Sequence, residues 1–495
     1  MQGTAQGTAY LRVDQSIWPP PLYGENPARR PRSLDVASPT VESPLRAWEF
    51  QPYPFTPLIW WCKMLAGHRW RPAFLFLSRY QEIMISFRMG VLAACLSATA
   101  CIDIDPHVIT LGELEPLHPP LGEGSLWPKL STHRDKVVLS WQERDAANAW
   151  FVKTAILDEA GWTPARTVAR STEERGFFVN WADFASVDIL EVDLLIAHWL
   201  LRGPNGGYDY GVRVARSTDQ GRTWTEPWTP HTDETPTEHG FVSKFPLDNG
   251  ELGLVWLDGR NSVDRGRVKG IPGAMALRYR SIGRDGVPGS ELLIDERVCD
   301  CCQTDAAVSA SGPIVVYRDR SLEEVRDIYV TRLVGGQWTE GTPVHRDGWV
   351  IPACPVNGPA VSARENQLAV AWFTGAGDEP KTQVAFSSDS GVHFGEPIRV
   401  DDGRSLGRVD VLWLESGSAL VMWLERRPRG GQVLVRQVWP DGRMGGEAMV
   451  TTTSAGRDSG FPQMIQDGMG RLVFAWTQTG AVRRVRVART VEVLP

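Results

Sequence analysis

The stretch Leu368-Ala369-Val370-Ala371-Trp372 decides the reading of this chain, because six others repeat it. They are VVLSW ending at Trp141, LLIAHW at Trp199, LGLVW at Trp256, PIVVY at Tyr317, ALVMW at Trp423 and LVFAW at Trp476. The closing aromatic recurs at intervals of 58, 57, 61, 55, 51 and 53 residues. A short apolar run of this kind, bounded by turn residues, reads as a strand buried on both faces. Matching segments precede the runs, as in Ala306-Ala307-Val308-Ser309-Ala310 and Pro359-Ala360-Val361-Ser362-Ala363. Four short strands repeated at such a spacing predict an all-β fold, a β-propeller of four-stranded blades. A lone blade would expose an apolar face, whereas a ring buries both faces and packs each aromatic between neighbours. Seven repeats are counted, with six as the alternative if two merge. The last blade has strands near Gln463–Ile465, Leu472–Trp476 and Val482–Val493. Its outermost strand is expected from Val108–Leu114, which would remove the free edge of the ring.

The rest of the 495-residue chain fits around this ring. Residues 1–83 hold nine Lys/Arg, six Asp/Glu and 11 of the 35 Pro, with no sustained period. Such a stretch does not fold alone. It is read as a non-translated segment, the true start being Met84, or as a disordered extension. The total charge is −7, so the remainder carries −7 − 3 = −10. That acidity excludes a nucleic-acid surface, which needs clustered Lys and Arg. Arg88 and the apolar run Met89–Ala100 are too short to cross a bilayer and read as a signal. Residues 84–101 therefore form a lipoprotein-type signal segment with lipidation at Cys101. Cleavage at Cys95, or an ordinary signal cleaved near Ala100, are the alternatives. Residues 102–495 are expected to be one propeller, a monomer exported to the periplasm or outer surface of a bacterium, meeting the membrane only through a lipid anchor.

Two turns carry a specific signature. Ser217-Thr218-Asp219-Gln220-Gly221-Arg222-Thr223-Trp224 reads S-x-D-x-G-x-T-W, and Ser387-Ser388-Asp389-Ser390-Gly391-Val392-His393-Phe394 reads S-x-D-x-G-x-x-F. The carboxylate can accept backbone N–H groups inside the turn, glycine takes a positive φ, and the aromatic folds back onto the sheet. Gly161-Trp162-Thr163 and Gly336-Gln337-Trp338-Thr339 are degenerate relatives at the same blade position. These boxes resemble those of the sialidase (BNR/Asp-box repeat) superfamily over roughly residues 108–495. The resemblance implies a propeller with Ser217, Asp219, Gly221, Trp224, Ser387, Asp389, Gly391 and Phe394 as structural residues, on the face away from any active site. Catalytic members grip a sugar carboxylate with three Arg and use a Tyr–Glu pair and an Asp. Their first Arg sits in an F/Y-R-I-P motif. Here the matching strand reads Ser125-Leu126-Trp127-Pro128-Lys129-Leu130, without it. Those enzymes are also six-bladed, so classical sialidase catalysis is not expected.

Residues just past each aromatic should gather at one mouth of the ring, and they are charged: Glu143, Arg144, Arg202, Asp258, Arg260, Arg318, Asp319, Arg320, Glu425 and Arg426. Lys129, Asn180, Asp183, His239, Asp305 and Asn357, at the starts of the inner strands, join the same face. An Arg/carboxylate mouth is a candidate site for a glycan or a small anionic ligand. The expected ligand residues are Arg202, Arg260, Arg318, Arg320, Arg426, His239 and Asn357. Asp258, Asp305 and Asp319 are the candidate acids should the protein be an exo-glycosidase. The bland alternative is that Arg–Asp pairs only tie blades together, and a protein-binding scaffold is a third reading. Tyr317 is read as packing. Cys299, Cys301, Cys302 and Cys354 lie at the starts of consecutive blades. A disulfide from Cys354 to one of the others is the default after export. A soft-metal site, with His239 as an added ligand, and free thiols are the alternatives. No metal and no cofactor is otherwise expected.

Overall fold

The computed structural model describes residues 111–172, 176–262 and 273–492, all within one compact unit, Cys101–Pro495. The expectations for residues 1–83, for the signal segment 84–101 and for Cys101 lie outside the described residues. Seven antiparallel sheets follow one another along the chain, so the fold is a seven-bladed propeller and not a six-bladed one. The inner strands are Leu126–His133, Ser186–Ile189, His239–Pro246, Asp305–Ser309, Ala360–Arg364, Ser405–Trp413 and Gln463–Gln466 for blades 1 to 7. Each of the seven repeated apolar runs forms the second strand of its blade. Blade 2 has three full strands, Ser186–Ile189, Leu195–Arg202 and Tyr210–Ser217, with a single bridge from Val214 to Trp228 in place of the fourth.

The double-faced apolar pattern has the cause the repeat implied. Val138 and Ile156 of blade 1 meet Val187 and Ala197 of blade 2, whereas Leu139 and Trp141 turn the other way onto Val473 and Val485 of blade 7. Trp141, Trp256, Trp372, Trp423 and Tyr317 are completely buried. Polar side chains on the inner strands staple each blade to the next. Ser131 accepts the Ile189 amide, Asp305 that of Val361, Ser362 that of Trp413 and Asp410 that of Met464, at 2.8–3.0 Å.

The ring closes by pairing the two ends of the described chain. Leu114–Leu117 lies antiparallel to Arg484–Thr490, with Leu114 opposite Thr490 and Leu117 opposite Val487. The closing strand therefore lies further along the chain than Val108–Leu114. This register seats Leu114 in the cluster between blades 6 and 7 and Leu117 in the one between blades 7 and 1.

Candidate functional site

In every blade the start of the inner strand and the end of the second strand lie at the same mouth of the ring, because the two are antiparallel. There the backbone is strained. Trp127, Phe241, Val356 and Arg408 adopt φ of 50–54°, the left-handed region that non-glycine residues avoid. In blades 1, 3 and 6 the strained residue coincides with a shift of register in the inner strand. Such bulges re-aim the side chains that follow. Two residues on from Trp127, Phe241 and Arg408 come Lys129, Ser243 and Asp410, and all three line a central cavity of about 230 Å³. All seven blades contribute to its wall.

The cavity holds two ammonium and four carboxyl groups: Lys129, Lys244, Asp183, Asp188, Asp305 and Asp410. Lys244 pairs with Asp188, donates to Ser186 Oγ at 2.7 Å and lies 3.0 Å from His198 Nδ1. Burial and the Lys244 charge hold His198 well below its ordinary pKa, so its ring is neutral. Burial also lowers Lys244, against the pull of Asp188. Lys129 makes no hydrogen bond or ion pair of its own among the described residues. Burial works against its charge, but Asp305, Asp188 and Asp410 prevail and raise its pKa.

Burial pushes Asp183 up to about 7, although the Phe241 amide and the Tyr210 hydroxyl bond its carboxylate at 2.8 and 2.9 Å. Asp410 is likewise pushed up to about 7 by burial, with Lys129 opposing and Asp305 adding to the shift. Burial raises Asp305 in the same direction. Above these groups sits an aromatic rim. Trp181 stacks on Phe461 at 5.7 Å, and Arg408 lies 4.9 Å over Trp181. Phe184 and Phe461 reach the cavity wall itself.

Of the residues singled out in the sequence, Lys129, Asp183 and Asp305 line this cavity. Most of the guanidinium groups at the mouth are committed to protein acceptors instead. Arg318, 2% exposed, donates to the carbonyls of Asn357, Arg326 and Phe373. Arg320 pairs with Asp300 and Glu324, and Arg260 with Asp258, Asp233 and Glu291. His239 is held by Asp233 and the Thr237 carbonyl, and His231 stacks on it at 4.0 Å. Asn357 accepts the Arg408 amide. Asp319 lies off the cavity, its pKa pushed up to about 7 by burial and by Asp295. Arg202 and Arg426 are exposed, Arg202 lying 5.0 Å over Phe178. Tyr317 is packed and donates to Asp295 at 2.7 Å.

A regular device explains the mouth carboxylates. The indole N–H groups of Trp141, Trp256 and Trp423 donate to Glu143, Asp258 and Glu425, each two residues on, at 2.7–2.9 Å. Trp476 does the same to Gln478 at 3.1 Å. Residues two apart in a strand share a face, so the pattern W-x-E/D/Q is a lock on the buried indole. Sequence reasoning passed over Lys244, Asp188, His198, Asp410, Trp181, Phe184, Phe461 and Arg408. Aligning the starts of the repeats (Trp127-Pro-Lys129, Phe241-Val-Ser243, Arg408-Val-Asp410 and Phe461-Pro-Gln463) would have brought several of them together.

The two boxed turns lie at the other end of the blades, where Tyr210–Ser217 and Lys381–Ser387 finish. Ser217 Oγ accepts the Gly221 amide at 2.7 Å, and Asp219 accepts the Thr223 amide at 2.9 Å. Ser387 and Asp389 repeat this with Gly391 and His393. Gly221 and Gly391 have φ of 82° and 78°. The threonine after each turn tryptophan, Thr163, Thr225 or Thr339, accepts the amide of Ile156, Arg216 or Arg332.

The disulfide expected from Cys354 is not formed. All four cysteines are free thiols. Cys299 and Cys302 Sγ are 3.2 Å apart, beyond a covalent S–S separation of about 2.05 Å. His239 sits with His231 and Asp233 in a separate cluster.

No family model and no curated protein matches this chain. Among solved structures, the polysaccharide lyase Uly1 aligns at 13% identity over 79% of this chain and 93% of its own, with a TM-score of 0.44. A PL25 ulvan lyase bound to -[GlcA(1-4)Rha3S]- aligns at 12% identity over 77% and 95%, with a TM-score of 0.48. The Penicillium chrysogenum α-L-arabinanase complexed with arabinobiose aligns at 15% identity over 62% and 92%, with a TM-score of 0.40.

Proposed function

We propose that this propeller binds the end of a neutral glycan in its central cavity, without classical sialidase catalysis. The observation that carries the reading is the convergence of all seven inner-strand starts on one polar cavity under an aromatic rim. Strained residues feed its wall from three blades, and such strain, of order 1–3 kcal/mol each, persists where function uses it. A volume of about 230 Å³ falls below the roughly 300–1,000 Å³ of pockets for drug-sized ligands. It suits one sugar ring better than a length of polymer. With every carboxyl ionised the wall carries 2 − 4 = −2, and with Asp183, Asp305 and Asp410 protonated it carries 2 − 1 = +1. A neutral polyhydroxyl ligand brings donors for the carboxylates and acceptors for Lys129, and its apolar face can lie on the rim. The Arg-gripped anion read from the sequence is replaced here, because Arg260, Arg318 and Arg320 already hold carboxylates and carbonyls. In keeping with the Asp-box resemblance, the chain is read as a sialidase-like exported lipoprotein acylated at Cys101. An intact-mass measurement of the mature protein tests that placement.

A calorimetric panel of neutral and acidic mono- and disaccharides, on wild type, Lys129→Met and Asp410→Asn, tests the binding site. Neutral sugars should bind with little salt dependence, and each variant should weaken binding at least tenfold. Acidic sugars should bind more strongly as pH falls below about 7, since protonation of Asp183 and Asp410 removes negative charge from the wall. Binding confined to acidic sugars at every pH, unaffected by either variant, would overturn the reading. A hydrolytic reading rests on Asp183 and Asp410, whose raised pKa suits a general acid. Release of reducing ends from a bound sugar would establish it.

A further inference from the structure

We infer that Cys299, Cys301, Cys302 and Cys354 form a binding site for a soft, thiophilic cation, zinc(II) or copper(I). The Sγ atoms of Cys299, Cys301 and Cys302 all lie within 4.8 Å of one another. Cys354, from the lead-in to blade 5, lies beside Cys301 but outside that group of three. Two segments more than 50 residues apart thus bring a cluster of three sulfurs and a fourth beside it to the junction of blades 4 and 5.

The donor set is sulfur alone. Asp300 sits within the Cys-Asp-Cys-Cys run, but its carboxylate turns away, to the Met275 amide at 3.2 Å and Arg320 at 2.9 Å. An all-thiolate set selects zinc, copper(I) or iron–sulfur chemistry over hard cations. Two of the sulfurs are completely buried, Cys299 at 1% and Cys302 at 2% exposure, as in closed structural sites and unlike catalytic sites that keep a position open.

The surroundings are prepared for negative charge. Arg326 donates to Cys299 Sγ at 3.2 Å, and both Arg326 and Arg318 favour its thiolate. Binding of the cation would release the thiol protons. Four thiolates around zinc(II) carry −4 + 2 = −2, which Arg318 and Arg326 offset in part, Arg326 being shared with Glu324 at 2.8 Å. The other close cluster, His231, Asp233 and His239, makes no comparable case, because Arg260 already lies 3.0 Å from Asp233.

The full chain should be purified without reductant or chelator and its metal measured by plasma mass spectrometry, before and after titration with zinc(II) and with copper(I). Alkylation mapped by peptide mass spectrometry reads the four thiols separately. One equivalent of zinc or copper is expected, with all four cysteines protected until a chelator is added. Cobalt(II) should give thiolate charge-transfer absorption. Cys354→Ser, at the half-buried edge, should weaken binding at least tenfold. If that variant fails to fold, the wild-type metal and alkylation data decide alone. Absence of stoichiometric zinc or copper after both titrations, or recovery of a disulfide-linked peptide pair among the four, would overturn the inference.

Discussion

Asp258 shows how a residue can look catalytic in sequence and be structural in space. It is completely buried, accepts the Trp256 indole, and holds Arg260 through two bonds at 2.7 and 2.8 Å. Arg260 also ties Asp233 and Glu291. Replacing Arg260 by Ala would remove two of the bonds to the fully buried Asp258, while Asp233 keeps His239 and Glu291 keeps Arg278. Breaking a buried pair from one side costs about 3–5 kcal/mol, and a urea titration of Arg260→Ala should show a loss of that order. A loss under about 1 kcal/mol, with ligand binding abolished, would return Arg260 to the role of ligand grip. The charged mouth was legible in the sequence, but its pairing was not. Which carboxylate each guanidinium meets depends on partners such as Asp233 and Glu291, 27 and 31 residues from Arg260. No local period links such positions. The indole lock was legible as W-x-E/D/Q, since both partners share one face of one strand.

At the scale of the element, the blade reads well from sequence because its determinants are local. A strand apolar on both faces, a glycine with positive φ and a threonine returning to the strand amide each fall within a few residues of one another. The closing strand was placed too early, around Val108–Leu114, because a four-residue strand with one buried stripe carries little pattern of its own. The turn at Ser217 is a test of the local physics. Its hydroxyl satisfies the buried Gly221 amide and bonds Asp219 at 2.7 Å. Ser217→Ala leaves that amide without a partner, which costs about 1–3 kcal/mol, and Ser387→Ala should behave alike. Both turns lie at the end of the blades away from the cavity, so sugar binding should be unchanged in either variant. A stable Ser217→Ala protein with altered binding would show that the turn serves the site and not the hairpin.

At the scale of the whole molecule, the sequence gives the number of blades but leaves the contents of the axis unread. The cavity wall takes a few residues from each of seven distant blades, and strained positions such as Trp127 and Arg408 set their aim. Only ring closure brings those segments to one point, so the site depends on the seam between blade 7 and the strand Leu114–Leu117. That seam rests on four residue pairs, an Arg489–Glu115 bond of 2.9 Å and two half-buried leucines in different interblade clusters. Residues 111–117 can be deleted, together with all that precede them, to leave a chain starting at His118. Losing the two leucine contacts should cost roughly 2–4 kcal/mol. The deletion would also bare Arg484–Thr490 as an unpaired edge, ready to pair with another chain. The shortened protein should unfold at lower urea and associate as its concentration rises, by light scattering. It should also lose sugar affinity, because Lys129 and Gln463 come from the two blades, 1 and 7, that the closing strand joins. Equal stability, a monomer at every concentration and undiminished binding would show that the ring holds its site without the closing strand.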